Sequence, residues 1–144
     1  MNEPTNQATP DGAVALAEHW LASLFAPWVQ ALGLKVESIE PGVASVRLPF
    51  DPSLCRSGGT ICGQALMSAA DTAMVFAIGS LFGEFRPTTT VSLNTSFLRP
   101  VAEGDVMIVA RVIKPGRTLM FGEIAMTGAD GKLAAQASTT YAML

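Results

Sequence analysis

The chain has 144 residues, of which 9 are basic and 12 acidic, and its formal net charge at pH 7 is −3. Hydrophobic residues make up 49% and charged residues 15% of the sequence, so the composition predicts one well-packed domain and excludes a disordered chain. The mild negative charge and the lack of a Lys/Arg run argue against nucleic acid as a partner.

The side chains that bind metals are scarce: there is one histidine, His19, and two cysteines, Cys55 and Cys62. One protomer therefore lacks a Cys₄, Cys₂His₂ or His₃ zinc site, and we expect no metal and no cofactor. No secretory signal pattern precedes the cysteines, so we expect unpaired thiols in a cytoplasmic protein. Residues 1–11 are polar and are expected to form a disordered tail before a single domain, residues 12–144.

The first predicted element is an edge helix at residues 12–25, where apolar residues follow helical spacing, and Pro27 separates it from a short piece, Trp28–Leu32. Period-two patterns bounded by turn signals predict six strands, of which the last three form an antiparallel meander. The predicted strands are Leu34–Glu40, Val43–Phe50, Thr88–Leu98, Val106–Ile113, Leu119–Thr127 and Leu133–Met143. Alternation along the third strand places Val91 on its apolar face, with Leu93, and Thr90 on its polar face.

The central segment Ile61–Phe82 has the length of a helix, contains no proline and is apolar nearly all round. Such a helix is either a membrane span or the buried centre of a globular fold. Asp71 at its midpoint would cost about 2.5 to 3.5 kcal/mol in a bilayer, and amphipathic strands flank the segment, so we predict the globular fold and no membrane partner. The sequence therefore predicts an α+β fold in which an antiparallel sheet wraps one long helix.

Asp71 is the only charged residue between Ser57 and Gly83. Carboxylates are almost never fully buried unless they are paired. Asp71 is therefore either a structural residue satisfied by nearby hydroxyls such as Ser68 or Thr72, or a catalytic base or nucleophile that its apolar neighbours strengthen.

The loop Cys55–Gln64 leads into the same helix. The first N–H groups of a helix have no acceptor within it, so those of Gly63 and Gln64 can hold a developing oxyanion. Gly63 and Asp71 are eight residues apart, about 12 Å along one helix axis, and one carbonyl group cannot touch both. If both serve one reaction, Asp71 must come from a second protomer whose helix runs antiparallel to the first.

With these residues the chain resembles, from Leu32 to Leu144, the hotdog-fold acyl-CoA thioesterases of the phenylacetate-pathway (PaaI-like) group. Those enzymes carry a loop Asn-x-x-Gly-x-x-His-Gly-Gly and a catalytic Asp nine residues after the His. Gly59, Gly63 and Asp71 fall on matching positions. The chain differs from the loop at three positions, with Arg56 in place of Asn, Cys62 in place of His and Gln64 in place of the second Gly. The segments 90–94, 97–100, 104–105 and 116–117 also resemble the family.

The resemblance implies a hotdog fold and hydrolysis of a medium-chain or aromatic acyl-CoA to free acid and CoA. The Gly63 N–H would polarise the thioester carbonyl, and Asp71 would activate water or attack directly. In the family a hydroxyl at the position of Thr90 steadies the water, and the loop Asn and His help to place the water and the carbonyl. The implied catalytic set is Asp71, Gly63, Gln64, Cys62 and Thr90, in a homodimer or a dimer of dimers.

The basic residues of the segment 86–117 either form a solvated sheet edge or bind the phosphates of coenzyme A. The predicted substrate-binding set is Arg56, Gly59, Arg99, Lys114 and Arg117.

Two other functions stay open at this point: a hotdog dehydratase or hydratase, which normally pairs an acid with a histidine, and a non-catalytic acyl-CoA binding protein, which the substituted loop favours. A nucleophilic role for Cys62 competes with inert packing, because no histidine lies near it in sequence.

Overall fold

The computed structural model describes residues 10–144, so most of the predicted tail, residues 1–11, lies outside the described residues. Helix α1 spans Pro10–Leu24 and begins two residues before the predicted start at residue 12. Proline is tolerated in a first helical turn, where its missing N–H is not needed, and Asp11 in that turn interacts favourably with the helix dipole. Helix α2, Pro27–Gln30, follows the break that Pro27 was predicted to cause.

The predicted central helix and the six predicted strands are confirmed. The helix α3 spans Gly63–Ser80, and a 3₁₀ turn, Pro52–Leu54, precedes it. The strands are β1 Lys35–Glu40, β2 Val43–Leu48, β3 Thr88–Phe97, β4 Val106–Pro115, β5 Leu119–Thr127 and β6 Leu133–Met143.

The strands form one antiparallel sheet in the order β1-β2-β4-β5-β6-β3. The meander β4-β5-β6 is confirmed, and the β1–β2 hairpin turns through Gly42, whose φ of 76° is a conformation that favours glycine. Strand β3 follows α3 in sequence but joins the far edge of the sheet beside β6. The outer edge of β3 therefore has no partner strand in the part of the chain that the structure describes.

Helix α3 packs against one face of the sheet and contacts strands from β1 at one edge to β3 at the other, which confirms the α+β prediction of a sheet around one helix. Its buried positions are mostly small, which lets the sheet approach the helix closely. They are Ala65, Leu66, Ala69, Ala70, Thr72, Ala73, Met74, Phe76, Ala77, Ile78 and Gly79. None of the helices in residues 10–144 combines the length and apolar character needed to cross a membrane.

Helix α1 covers the C-terminal half of α3. The buried ring of Trp20 lies 6.5 Å from that of Phe76, and a Cβ atom added to Gly79 would be 2.6 Å from the Trp20 ring. Glu18 accepts a hydrogen bond from the N–H of Val36 at 3.0 Å. This bond holds α1 beside β1, which is the edge strand at the opposite side of the sheet from β3.

A β-bulge interrupts β3, because the pairing of β3 with β6 shifts register between Thr90 and Ser92. The extra residue, Val91, is 60% exposed, whereas Leu93 packs against the core and Thr90 faces α3. The prediction that Val91 shares the apolar face while Thr90 lies on the polar face is therefore wrong. One extra residue in a strand moves every later side chain to the opposite face of the sheet. The alternation of polar and apolar residues in the sequence does not show where such a bulge lies.

Candidate active site

Asp71 lies in the middle of α3 and is half-buried. Its Oδ1 accepts a hydrogen bond from the Thr90 hydroxyl at 2.8 Å and a second, short hydrogen bond from the Tyr141 hydroxyl. The Tyr141 hydroxyl also lies 2.9 Å from the main-chain oxygen of Asp71. Ser68 and Thr72, the hydroxyls suggested for the structural alternative, do not bond to this carboxylate, because each donates instead to the helical carbonyl four residues earlier.

Tyr141 is the residue of this site that the sequence did not reveal. It is 1% exposed, and burial first and the charge of Asp71 second raise the pKa of its phenol above the usual value of 10.0. A signal was present, because period-two alternation in β6 places Tyr141 on the same inner face as Ala137 and Thr139. A buried tyrosine hydroxyl needs a polar partner, and Asp71 is the partner it finds.

The start of α3 presents free hydrogen-bond donors. Cys62 is the N-cap residue in an extended conformation, and its side chain makes no capping bond. Among the described residues, the N–H groups of Gly63 and Gln64 have no acceptor. The Phe97 ring lies over Gly63, and a Cβ atom added there would be 3.0 Å from Phe97 Cζ. The geometry therefore provides the two donors that the sequence predicted at Gly63 and Gln64.

A groove of about 400 Å³ adjoins the start of α3. It combines apolar side chains with two guanidinium groups, those of Arg56 and Arg99, and neither has a salt-bridge partner within residues 10–144. Its lining residues are Arg56, Thr60, Ile61, Gly63, Leu66, Phe97, Leu98, Arg99, Pro100 and Val101. Asp71 is not among them, which agrees with its expected distance of about 12 Å from Gly63.

The loop before α3 is a tight turn. The N–H of Gly59 donates to the Arg56 carbonyl at 3.0 Å, and the N–H of Arg56 donates to the Thr60 carbonyl at 2.9 Å. Gly58 and Gly59 have φ values of 101° and 83°, which favour glycine. Of the two predicted substrate-binding residues in this loop, Arg56 lines the groove, whereas Gly59 shapes the turn and does not.

The predicted phosphate-binding cations do not come together in one protomer. Arg99 lines the groove at the start of α3. Lys114 and Arg117 flank the β4–β5 turn, where the Thr118 carbonyl accepts a bond from the N–H of Met143 at the end of β6. Strand β6 pairs with β3 and separates this turn from it. The turn with Lys114 and Arg117 therefore lies at the other end of the sheet from Arg99.

None of the remaining candidates pairs with an acid or a base among the described residues, and the Cys55 thiol donates only to the Asp51 carbonyl, at 3.8 Å. Cys55 and Cys62 are free thiols, as predicted, and both are partly buried against the core. Gln64 is exposed in the first turn of α3. His19 is exposed on α1, next to Trp20, which packs against the other end of α3 from Cys62. Within the described residues, no three side chains of metal-binding type lie together.

The chain is similar to several known proteins. Residues 58–135, more than half of the chain, match the thioesterase superfamily. The Saccharolobus solfataricus protein SSO2140, provisionally named an esterase, is 33% identical over 113 residues, 78% of this chain and 80% of that protein. The conserved protein PA5202 of Pseudomonas aeruginosa has 35% identity, a TM-score of 0.77 and coverage of 84% of this chain and 96% of its own.

A third likeness concerns the fold alone. The E. coli PaaI protein, from the phenylacetic acid degradation operon, is 22% identical, with a TM-score of 0.81 over 92% of this chain and 93% of its own. The long helix, the antiparallel sheet and this likeness define the hotdog fold that the resemblance implied. The chain belongs to the thioesterase superfamily and is a thioester hydrolase.

Proposed function

We propose that this hydrolase cleaves medium-chain or aromatic acyl-CoA thioesters and that its active sites form between two copies of the chain. The observation that carries the proposal is the separation, on one helix, of the free N–H of Gly63 from the Asp71 carboxylate. Eight residues of α-helix place them about 12 Å apart, which is too far for one thioester carbonyl to contact both. The apolar lining of the groove beside Gly63, which includes Leu66 and Phe97, suits an acyl chain or an aromatic ring.

The free edge of β3 supports this arrangement. Two copies joined antiparallel along that edge would place the Thr90 end of one β3 beside the Phe97 end of the other. Thr90 holds Asp71, and the Phe97 ring covers Gly63. Asp71 of the partner subunit would therefore lie close to the Gly63 N–H, and each dimer would contain two such composite sites.

The distribution of cations supports coenzyme A as part of the substrate. Arg56 and Arg99 line the groove of one copy, and both guanidinium groups are free to form bidentate bonds with phosphate. In the same antiparallel dimer, the β4–β5 turn of the partner subunit, with Lys114 and Arg117, would lie toward this groove, because the turn contacts the end of β6 that pairs with the beginning of β3. We propose no cofactor other than the coenzyme A that the substrate carries.

The proposed reaction is hydrolysis by two groups from two chains. The N–H of Gly63, with that of Gln64, would stabilise the oxyanion that forms on the thioester carbonyl. Asp71 would either take a proton from the attacking water or attack the carbonyl carbon itself, in which case the C–S bond breaks, the thiolate leaves and water hydrolyses the mixed anhydride. A hydratase is less well supported, because His19 is exposed on α1 and lies away from the groove.

The test is a panel of acetyl-, hexanoyl-, octanoyl-, benzoyl- and phenylacetyl-CoA, followed by release of free thiol. We expect hydrolysis of medium-chain or aromatic substrates and a loss of at least about a hundredfold in Asp71→Asn. Asp130→Asn is the matched control, because Asp130 is exposed in the β5–β6 turn. Unchanged hydrolysis in Asp71→Asn would remove Asp71 from the reaction, and no thiol release from any substrate would refute the proposed function.

A further inference from the structure

We propose that Tyr141 is a positioning residue for the hydrolysis: with Thr90 it holds Oδ1 of Asp71, so that Oδ2 is the oxygen that reacts. This inference rests on the proposed function. Both hydroxyls donate to Oδ1, whereas Oδ2 accepts no hydrogen bond from any residue that the structure describes. Two donors on one oxygen fix the rotation of the carboxylate and leave the lone pairs of the other oxygen for water or for the thioester.

The sheet places both donors together. Thr90 and Tyr141 are directly opposite each other in the pairing of β3 with β6, immediately before the bulge at Val91. Ser92, Asn94 and Ser96, which alternate along the strand after the bulge, are exposed, so the bulge allows Thr90 to face α3 while they face outward. The bulge therefore affects the candidate active site, because it turns the Thr90 hydroxyl toward Asp71, where it donates beside the hydroxyl of Tyr141.

The surroundings of Tyr141 fix the position of its side chain and keep its hydroxyl protonated, so that it can donate a hydrogen bond. Tyr141 lies on an interior strand, with Met120 of β5 opposite it on one side and Thr90 of β3 on the other. Its side chain is buried, and the raised pKa of its phenol keeps the hydroxyl protonated. The hydroxyl can therefore donate to the carboxylate throughout the reaction.

The test compares Tyr141→Phe with Thr139→Val, a control on the same face of β6. Thr139 is also buried, and its hydroxyl donates to the Ser92 carbonyl at 2.7 Å without touching Asp71. Tyr141→Phe should lower kcat between about tenfold and a hundredfold, the range for losing one hydrogen bond to a charged group, with KM within about twofold. Thr139→Val should change neither kcat nor KM.

Variants of Thr90 complete the test. Thr90→Ser keeps the hydroxyl and should keep kcat, whereas Thr90→Val should lose activity as Tyr141→Phe does. Wild-type kcat in Tyr141→Phe would overturn the inference, as would equal losses of kcat in Tyr141→Phe and Thr139→Val. If Asp71→Asn is inactive while Tyr141→Phe is fully active, only this inference fails; if Asp71→Asn stays active, the proposed function fails as well.

Discussion

The buried pair of Tyr141 and Asp71 should make the stability of the protein fall steeply in alkali. The pKa of the Tyr141 phenol is raised above 10.0 in the folded protein, by burial first and by the Asp71 charge second. Above that pH the unfolded chain releases a proton that the folded chain retains, so the free energy of unfolding decreases as pH rises. The loss from this group is about 1.4 kcal/mol for each pH unit above 10, until the folded pKa is reached.

Tyr141→Phe isolates this contribution, since it removes the titrating group and leaves the other alkaline groups in place. At pH 8 the variant should be about 1.5 to 3 kcal/mol less stable, the value of one hydrogen bond to a charged group. The difference from wild type should shrink above pH 10 and vanish about one to two units higher. Urea unfolding of both proteins at a series of pH values measures this difference in the free energy of unfolding.

Tyr141 is the only tyrosine in the chain, so the near-ultraviolet absorbance of phenolate reports this residue alone. We expect phenolate to appear only when the protein unfolds, in the same transition as the loss of circular dichroism. Phenolate that appears near pH 10 in a folded protein would refute the reasoning, as would a difference between the two proteins that does not change with pH.

Two further predictions concern packing and the thiol at the helix start. Gly79→Ala should lower the free energy of unfolding by about 1 to 3 kcal/mol, because its Cβ would lie 2.6 Å from the buried ring of Trp20; equal urea midpoints for variant and wild type would contradict this. Cys62→Ala should keep thioester hydrolysis within about threefold of wild type, because no histidine is near enough to activate the thiol; a loss beyond a hundredfold would make Cys62 the nucleophile.

The sequence predicted the elements well because local patterns determine them. Alternation and turn residues located six strands, and the apolar run around Asp71 located α3 within two residues at each end. The free N–H groups at Gly63 also followed from local physics, since every helix start has them. These features depend on residues that are neighbours in sequence.

The partners of Asp71 depend on the sheet order, which no local pattern contains. Tyr141 is 70 residues away in sequence and reaches Asp71 because β6 is an interior strand. Thr90 faces Asp71 because of a bulge that simple alternation does not indicate. Arg99 and Lys114 are close in sequence, but β3 joins the far edge of the sheet and separates them. Long-range topology thus decides the surroundings of the carboxylate.

The most direct test of the composite site is a mixed dimer in which one subunit carries Asp71→Asn and the other Gly63→Val. The larger side chain introduced by Gly63→Val would crowd the exposed Phe97 ring and the helix start without entering the core. Each variant alone should be inactive. The mixed dimer, purified through two different affinity tags, contains one intact site if the groups come from different chains, so we expect about half of the wild-type activity. If both groups act within one chain, every site in the mixed dimer is damaged, and its inactivity would contradict the account.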